Sequence, residues 1–152
     1  MHCCGGFVVT QLYGGPRSTS DVDFLDVAPN ARSSLVELAG KGSALHRKRK
    51  LYLDAVTVAT PPESYQERLV PMYPKAWLKL RLYDLESHDL ALSKLERNPD
   101  RDRDDVRHLA RVGRLKPDIL VDRYYKELRP NLANQARHDS TLQLWLKAYW
   151  TA

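Results

Sequence analysis

Two spacings of apolar residues divide this chain. Up to about residue 83 the pattern is mostly period two, the mark of strands with one face turned inward. Val22 and Phe24 alternate with Asp21 and Asp23, predicting a strand over 22–27. Residues 51–59 are rich in Val, Thr and Tyr and predict a second. In it Tyr52, Asp54, Val56 and Val58 share one face, and Leu51, Leu53 and Ala55 the other. Trp77, Lys79, Arg81 and Tyr83 against Leu78, Leu80 and Leu82 predict a half-buried third strand. Short helices are expected at 7–13, stopped by Gly14-Gly15-Pro16, and at 31–39, with Asn30 as cap and Gly40 just past the end. Residues 63–69 look helical, and Pro71 and Pro74 bracket a loop.

From Asp84 onward the period is helical. Helices are predicted from Ser87 to the stop at Asn98-Pro99, then over 102–112, 117–128 and 141–149. Leu142, Trp145, Leu146 and Tyr149 fall on one face of the last, a core pattern. The fold class is therefore α/β (α+β): a small mixed sheet from 1–83 and a helical half, 84–152, packed beside it as one domain.

Composition narrows the class. The 152 residues are 43% hydrophobic and 28% charged, those of an ordinary soluble protein with enough chain for a core. No apolar run approaches the ~18 residues that a membrane-spanning helix needs. The first residues are too polar for a signal peptide, so a cytoplasmic location is expected. The two cysteines, Cys3 and Cys4, are adjacent and cannot frame a disulfide fold, and the histidines are too scattered for a zinc site. A net charge of +5 suits an anionic partner such as a nucleotide, RNA, DNA or an acidic protein, and equally a merely soluble surface.

Chemistry concentrates near the start. Gly5 and Gly6 open a helix, whose uncommitted N–H groups and positive dipole end suit a phosphate. Arg17, Ser18, Thr19 and Ser20 follow the Gly-Gly-Pro turn. Asp21 and Asp23, two apart on a strand, project side by side and repel unless something neutralises them. A hard cation does so: Mg²⁺ typically takes one or two carboxylates together with substrate phosphates. Asp54 is a lone carboxylate in an apolar strand, either exposed or held by a partner.

Glycine pair, helix, Arg-Ser-Thr and Asp-x-Asp in that order resemble the active-site signature of the DNA polymerase β-type nucleotidyltransferase superfamily. The small bacterial AbiEii-type toxins of abortive-infection systems are the nearest likeness. The resemblance implies that Gly5, Gly6, Arg17, Ser18 and Thr19 hold a nucleoside triphosphate, and that Asp21, Asp23 and Asp54 hold Mg²⁺. Such proteins carry a helix and a strand before the glycine pair. Here four residues precede Gly5, so either the true start lies upstream or the protein is a shortened version with an incomplete sheet edge.

A second block lies at 90–106. Extending the apolar stripe of Val106, Leu109 and Ala110 backwards lands on Asp102 and Asp105, so two carboxylates start that helix on its inward side. Lys94 and Arg97 are their expected partners, with Asp102 as a helix cap. The same block resembles the second motif of the toxin-type enzymes, which implies that Lys94 contacts nucleotide phosphates and Asp105 orients it or positions the acceptor. The activity so implied moves a nucleoside monophosphate from an NTP to an acceptor hydroxyl, on tRNA, other RNA or protein, in a toxin with a cognate antitoxin. A homodimer is compatible with it. The alternatives are a catalytically degenerate module that binds nucleotide, RNA or a protein partner, and a plain basic nucleic-acid-binding protein. Arg123, Lys126, Arg129 and Arg137 are a candidate basic flank for RNA.

Overall fold

The change of period near residue 84 is also a change of packing unit. The computed structural model describes residues 1–26, 28 and 30–150. Met1–Thr57 and Leu69–Leu85 make one unit; 58–68 belongs with the chain from Glu86 onward. The reason lies in Arg68, at the end of a 3₁₀ turn (Tyr65–Arg68), whose guanidinium is bound to Asp89 and Glu127 of the helical unit.

The first unit is a five-stranded mixed sheet with three helices. In chain order it contains β1 (His2–Cys3), α1 (Gly5–Tyr13), β2 (Asp21–Asp26), α2 (Ala31–Ala39), α3 (Ala44–Arg49), β3 (Tyr52–Ala55), β4 (Val70–Met72) and β5 (Leu82–Asp84). The sheet order is β3-β2-β1-β5-β4. The β2–β3 and β1–β5 pairs are parallel; β1–β2 and β4–β5 are antiparallel. The sheet place that a shortened version would leave incomplete is therefore filled: β1, though only two residues long, is the central strand and bonds on both sides.

Register assigns the two faces, because residues paired across a ladder share one. Val22 pairs with Leu53 and Phe24 with Ala55, which puts these apolar side chains together. Phe7 of α1 and Leu35 of α2 line an apolar cleft of about 340 Å³ with Val22, Leu53 and Leu82, so both helices cover that face. Asp21, Asp23 and Asp54 belong to the opposite face.

Several boundaries differ from the periodicity. Strand β3 has four residues: its ladder is with β2, beside a single bridge from Leu53 to Gly40, and the last bond is Val56 N–H to the Phe24 carbonyl (2.9 Å). The end predicted for β2 at Val27, and Pro29 of the following turn, lie outside the described residues. The strand predicted over 77–83 is only Leu82–Asp84, since its neighbours β1 and β4 supply two and three residues. Leu78 is fully exposed. Pro71 is within β4, at the sheet edge, where its missing N–H costs no ladder bond. Asn30 stands at the α2 N-cap in the left-handed region (φ 65°) without a side-chain capping bond, and Gly40 is extended. The basic run after Gly40 holds an unpredicted helix, α3, capped by Ser43 Oγ accepting from His46 N–H (3.0 Å).

The second unit is helical: α4 (Ser87–Ser93), α5 (Asp100–Arg111), α6 (Pro117–Arg123) running into a π-helical turn (Tyr124–Leu128), a 3₁₀ turn (Arg129–Asn131) and α7 (Gln135–Trp150). All seven residues of α4 are buried, so it is a core helix rather than an amphipathic one. Leu90, Leu92, Val106, Leu120, Leu142 and Trp145 share the core.

Burying α4 entire also buries its charges, and each has partners. Arg68 forks onto Asp89 (Nε–Oδ2 2.8 Å, Nη2–Oδ1 3.1 Å) and onto Glu127 (Nη2–Oε2 2.7 Å). Arg123 bonds Asp89 (3.0 Å) and Glu86. Glu86 caps α4 by accepting from His88 N–H (3.1 Å). The His88 ring accepts at Nε2 from Lys116 N–H (2.9 Å), so Nδ1 carries the proton and donates to Glu86 (2.7 Å). Burial alone raises the Glu86 pKa, but hydrogen bonds from His88, Ser87 and Arg123 outweigh it and hold the carboxyl at about 2.

That depression has a stability consequence. A carboxylate lowered in the folded state stabilises it above its unfolded pKa, and the contribution is lost as pH falls through the folded value. In thermal melts the gap between wild type and Glu86→Gln is therefore expected to be full at neutral pH, to narrow below about pH 4.5 and to close near pH 2. A gap independent of pH would contradict this assignment.

Candidate functional site

The candidate site of the first unit is assembled at the amino end of α1. Strand β1 delivers the chain to Gly5, and the Cys4 N–H bonds the Asp23 carbonyl (2.9 Å), which fixes the strand against β2. Gly5 then turns with φ +74°, a conformation that favours glycine. A Cβ there would lie 1.9 Å from Asp23 Oδ2, so the carboxylate occupies the place where any other residue would carry its side chain. At Gly6 a Cβ would meet Arg17 Nη2 at 3.5 Å: the guanidinium lies beside the first turn of the helix. Thr10 Oγ1 donates to the Arg17 carbonyl (2.6 Å) and holds that loop down. The helix closes at Gly14, left-handed at φ 66°.

Strand β2 carries Asp21 and Asp23, both half-buried. Thr19 Oγ1 donates to Asp21 Oδ1. Parallel pairing sets Asp23 opposite Asp54 and Asp21 opposite Tyr52, so three carboxylates from two adjacent strands share one face. Asp54 is exposed. Among the described residues, no three His, Cys, Asp or Glu side chains are gathered tightly enough to hold a metal by themselves. The donor set is nonetheless all carboxylate oxygen, the kind hard cations take, and Mg²⁺ commonly completes its shell with water and phosphate oxygens. Asp21 and Asp23 fit that pattern, with Asp54 one strand away. Burial, helped by Asp84, pushes the Cys3 thiol up to about 12.

Lys94 and Asp105 belong to the second unit. Lys94, 2% exposed, ends α4 with its ammonium 3.2 Å from Asp102 Oδ1 and 2.9 Å from Asp105 Oδ2; Arg97 lies 3.4 Å from Asp102 Oδ2. This is the pairing expected from the stripe of α5. Asp102 is not a cap: α5 begins at Asp100 with Pro99 in the cap position, and the Asp102 carboxylate is turned to Lys94 and Arg97.

Three of the four cations of the expected C-terminal basic flank, Arg123, Lys126 and Arg129 but not Arg137, have acid partners among the described residues. Arg123 is bound to Glu86 and Asp89, Arg129 to Asp139 (2.8 Å) and Lys126 to Asp122 (2.6 Å). Sequence reasoning missed the Glu86–Asp89–Arg68–Arg123 network. Its one local signal was a pair of acids opening a helix with apolar residues all round.

Gly5→Ala tests the packing of this site. The left-handed backbone alone costs an alanine roughly 1–2 kcal/mol, and Asp23 must also move. A melting temperature lowered by several degrees is expected, with Asp23→Ala in the same chain recovering part of the loss. An unchanged melting temperature would show that Asp23 does not sit against Gly5.

No curated protein and no solved structure matches this chain. Among the described residues no helix is long and apolar enough to cross a membrane. A family model does match, over residues 4–149, nearly the whole sequence and both units. With its glycine-opened helix and paired strand carboxylates, the chain belongs to the family described as "Nucleotidyltransferase of unknown function (DUF6036)".

Proposed function

We propose that this protein is a Mg²⁺-dependent nucleotidyltransferase that moves a nucleoside monophosphate from an NTP to an acceptor hydroxyl. The observation that carries the reading is the register of β2 on β3, which sets Asp54 across from Asp23 at the amino end of α1. Asp21 and Asp23 would hold the cation, with Asp54 as a third ligand or a proton acceptor. The cation, when bound, neutralises phosphate charge and steadies the attacking and leaving oxygens. The first-turn N–H groups at Gly5 and Gly6 and the Arg17 guanidinium receive the triphosphate, with Ser18 and Thr19 beside it. The acceptor oxygen forms a bond to the α-phosphorus, the bond from that phosphorus to the β-phosphate bridge breaks, and pyrophosphate leaves. The acceptor proton passes to Asp54 or to water. Reactions of this type need positioning and positive charge rather than a covalent intermediate, which suits a site of glycines and carboxylates.

Lys94 would have a narrower role. The likeness to the toxin-type enzymes would have it meet nucleotide phosphates; in the structure its ammonium is buried between Asp102 and Asp105. Asp105 is then a positioning residue. The likeness to AbiEii-type toxins extends the reading to a toxin acting on tRNA or protein and restrained by an antitoxin. A second reading, a degenerate module that binds nucleotide without turnover, is favoured by the lack of a three-residue metal cluster among the described residues.

Labelled NTP incubated with total RNA or protein, with Mg²⁺ or with chelator, decides between them. Cation-dependent incorporation is expected, falling by about a thousand-fold in Asp21→Asn/Asp23→Asn at unchanged melting temperature. Nucleotide binding without incorporation would favour the module, and incorporation untouched by the double substitution would refute the site. For Lys94→Met the expected result is a stability loss of about 3–5 kcal/mol in denaturant melts, because two buried carboxylates lose their cation. A loss below ~1 kcal/mol would remove Lys94 as the tie between α4 and α5.

A further inference from the structure

The net charge of this protein has an address. Residues 41–50 contain Lys41, Arg47, Lys48, Arg49 and Lys50 and no acid, and these five cations equal the +5 of the whole chain. Summed over the rest of the chain, acids and bases are equal in number. Four of the five lie on α3 and its cap, packed into about one helical turn. A helix carboxyl end welcomes cations, but the effect is spent within that turn and four neighbours also repel one another. Lys48, Arg49 and Lys50 are exposed and take no ion pair among the described residues. In the second unit Arg68, Arg123, Lys126 and Arg129 each have an acid partner, and the exposed cations without one among the described residues, Arg111, Lys116, Arg137 and Lys147, are spread along the chain rather than consecutive.

Position adds to composition. Lys50 leads through Leu51 into β3, and the Tyr52 N–H bonds the Ser20 carbonyl (2.9 Å) just ahead of Asp21. Tyr52 is the register partner of Asp21, so its ring is on the carboxylate face. The His46 ring stands edge-on to it at 4.9 Å, aimed by a 2.9 Å bond from the Gly42 N–H to Nδ1. Lys41 Nζ lies 5.8 Å from the Tyr52 ring centre. An aromatic pair with a cation thus continues the carboxylate face outward to the edge strand, where the basic helix ends. All of these groups belong to the first unit.

Rings beside a row of unmatched cations are what a single-stranded polynucleotide requires: bases stack on the aromatics and phosphates pair with Lys and Arg. An acidic peptide would use only the cations. We propose that α3 with Tyr52 and His46 is the acceptor track: an RNA strand runs along Arg47–Lys50, lays a base against Tyr52, and presents its terminal hydroxyl at Asp21, Asp23 and Asp54. This rests on the nucleotidyltransferase reading and names its acceptor class.

The test is fluorescence anisotropy of the full chain with a labelled single-stranded RNA of mixed sequence, about 20 nucleotides long so that it exceeds one footprint. Lys48→Gln/Arg49→Gln/Lys50→Gln is expected to weaken binding about ten-fold or more and to reduce the slope of log affinity against log salt by about 2, three contacts at ~0.7 each. Tyr52→Ala is expected to weaken binding several-fold with the slope unchanged. Wild-type affinity in the triple variant would overturn the proposal, as would polyglutamate of equal length competing as well as RNA. Binding of a non-hydrolysable NTP analogue with Mg²⁺, measured on the same samples, is expected to be unaffected by the triple substitution. Its absence in the wild type would count against the enzyme reading, whereas the track stands or falls on the RNA titration.

Discussion

A carboxylate pressed against a glycine governs the first unit. Asp23 sits where a side chain on Gly5 would be, so the start of α1 and the middle of β2 cannot be separated or exchanged. The rest follows from that contact. The β1 strand must enter beside β2 to deliver Gly5, and α1 must leave across the apolar face. Parallel pairing with β3 then adds Asp54 opposite Asp23. A close approach of this sort tolerates glycine alone, which gives the Gly-Gly pair a structural reason apart from any ligand.

The two units treat charge differently. In the helical unit one set of ionic groups is buried and cross-linked; Asp89 is inaccessible and is held by both Arg68 and Arg123. Removing one member of such a network strands the others in a medium of low polarity, which makes it a specifier of the fold more than a source of net stability. In the sheet unit Lys48, Arg49 and Lys50 of the basic helix and its cap are exposed and take no ion pair among the described residues. Unmatched charge on a folded surface is where ligands supply the missing counter-charge.

Much of this could be read in advance where a local pattern carries the physics. The alternation around Asp21 and Asp23 identified β2 because one face of that strand is buried. The helical stripe of α5 exposed Asp102 and Asp105 as inward charges and so pointed to Lys94. What escaped depends on partners far along the chain. The alternation at 77–81 looks like a strand, but β1 is two residues long and gives it nothing to pair with. Arg123 looked like a free surface cation because Glu86 and Asp89 lie more than 30 positions away. Helix α3 was hidden by its charge, although Ser43 three residues before His46 was a capping signal. Asp54 was the hardest case: its face followed from alternation, but its place opposite Asp23 depended on a register that no single strand encodes.

The central claim is that Asp21, Asp23 and Asp54 share one cation-binding face at the amino end of α1. Paramagnetic broadening of the protein's NMR signals by Mn²⁺, added with a non-hydrolysable NTP, measures this directly. The account expects broadening centred on Gly5, Gly6, Asp21, Asp23 and Asp54, and absent when Asp21 and Asp23 are both asparagine. Broadening centred elsewhere, or none with nucleotide bound, would contradict it.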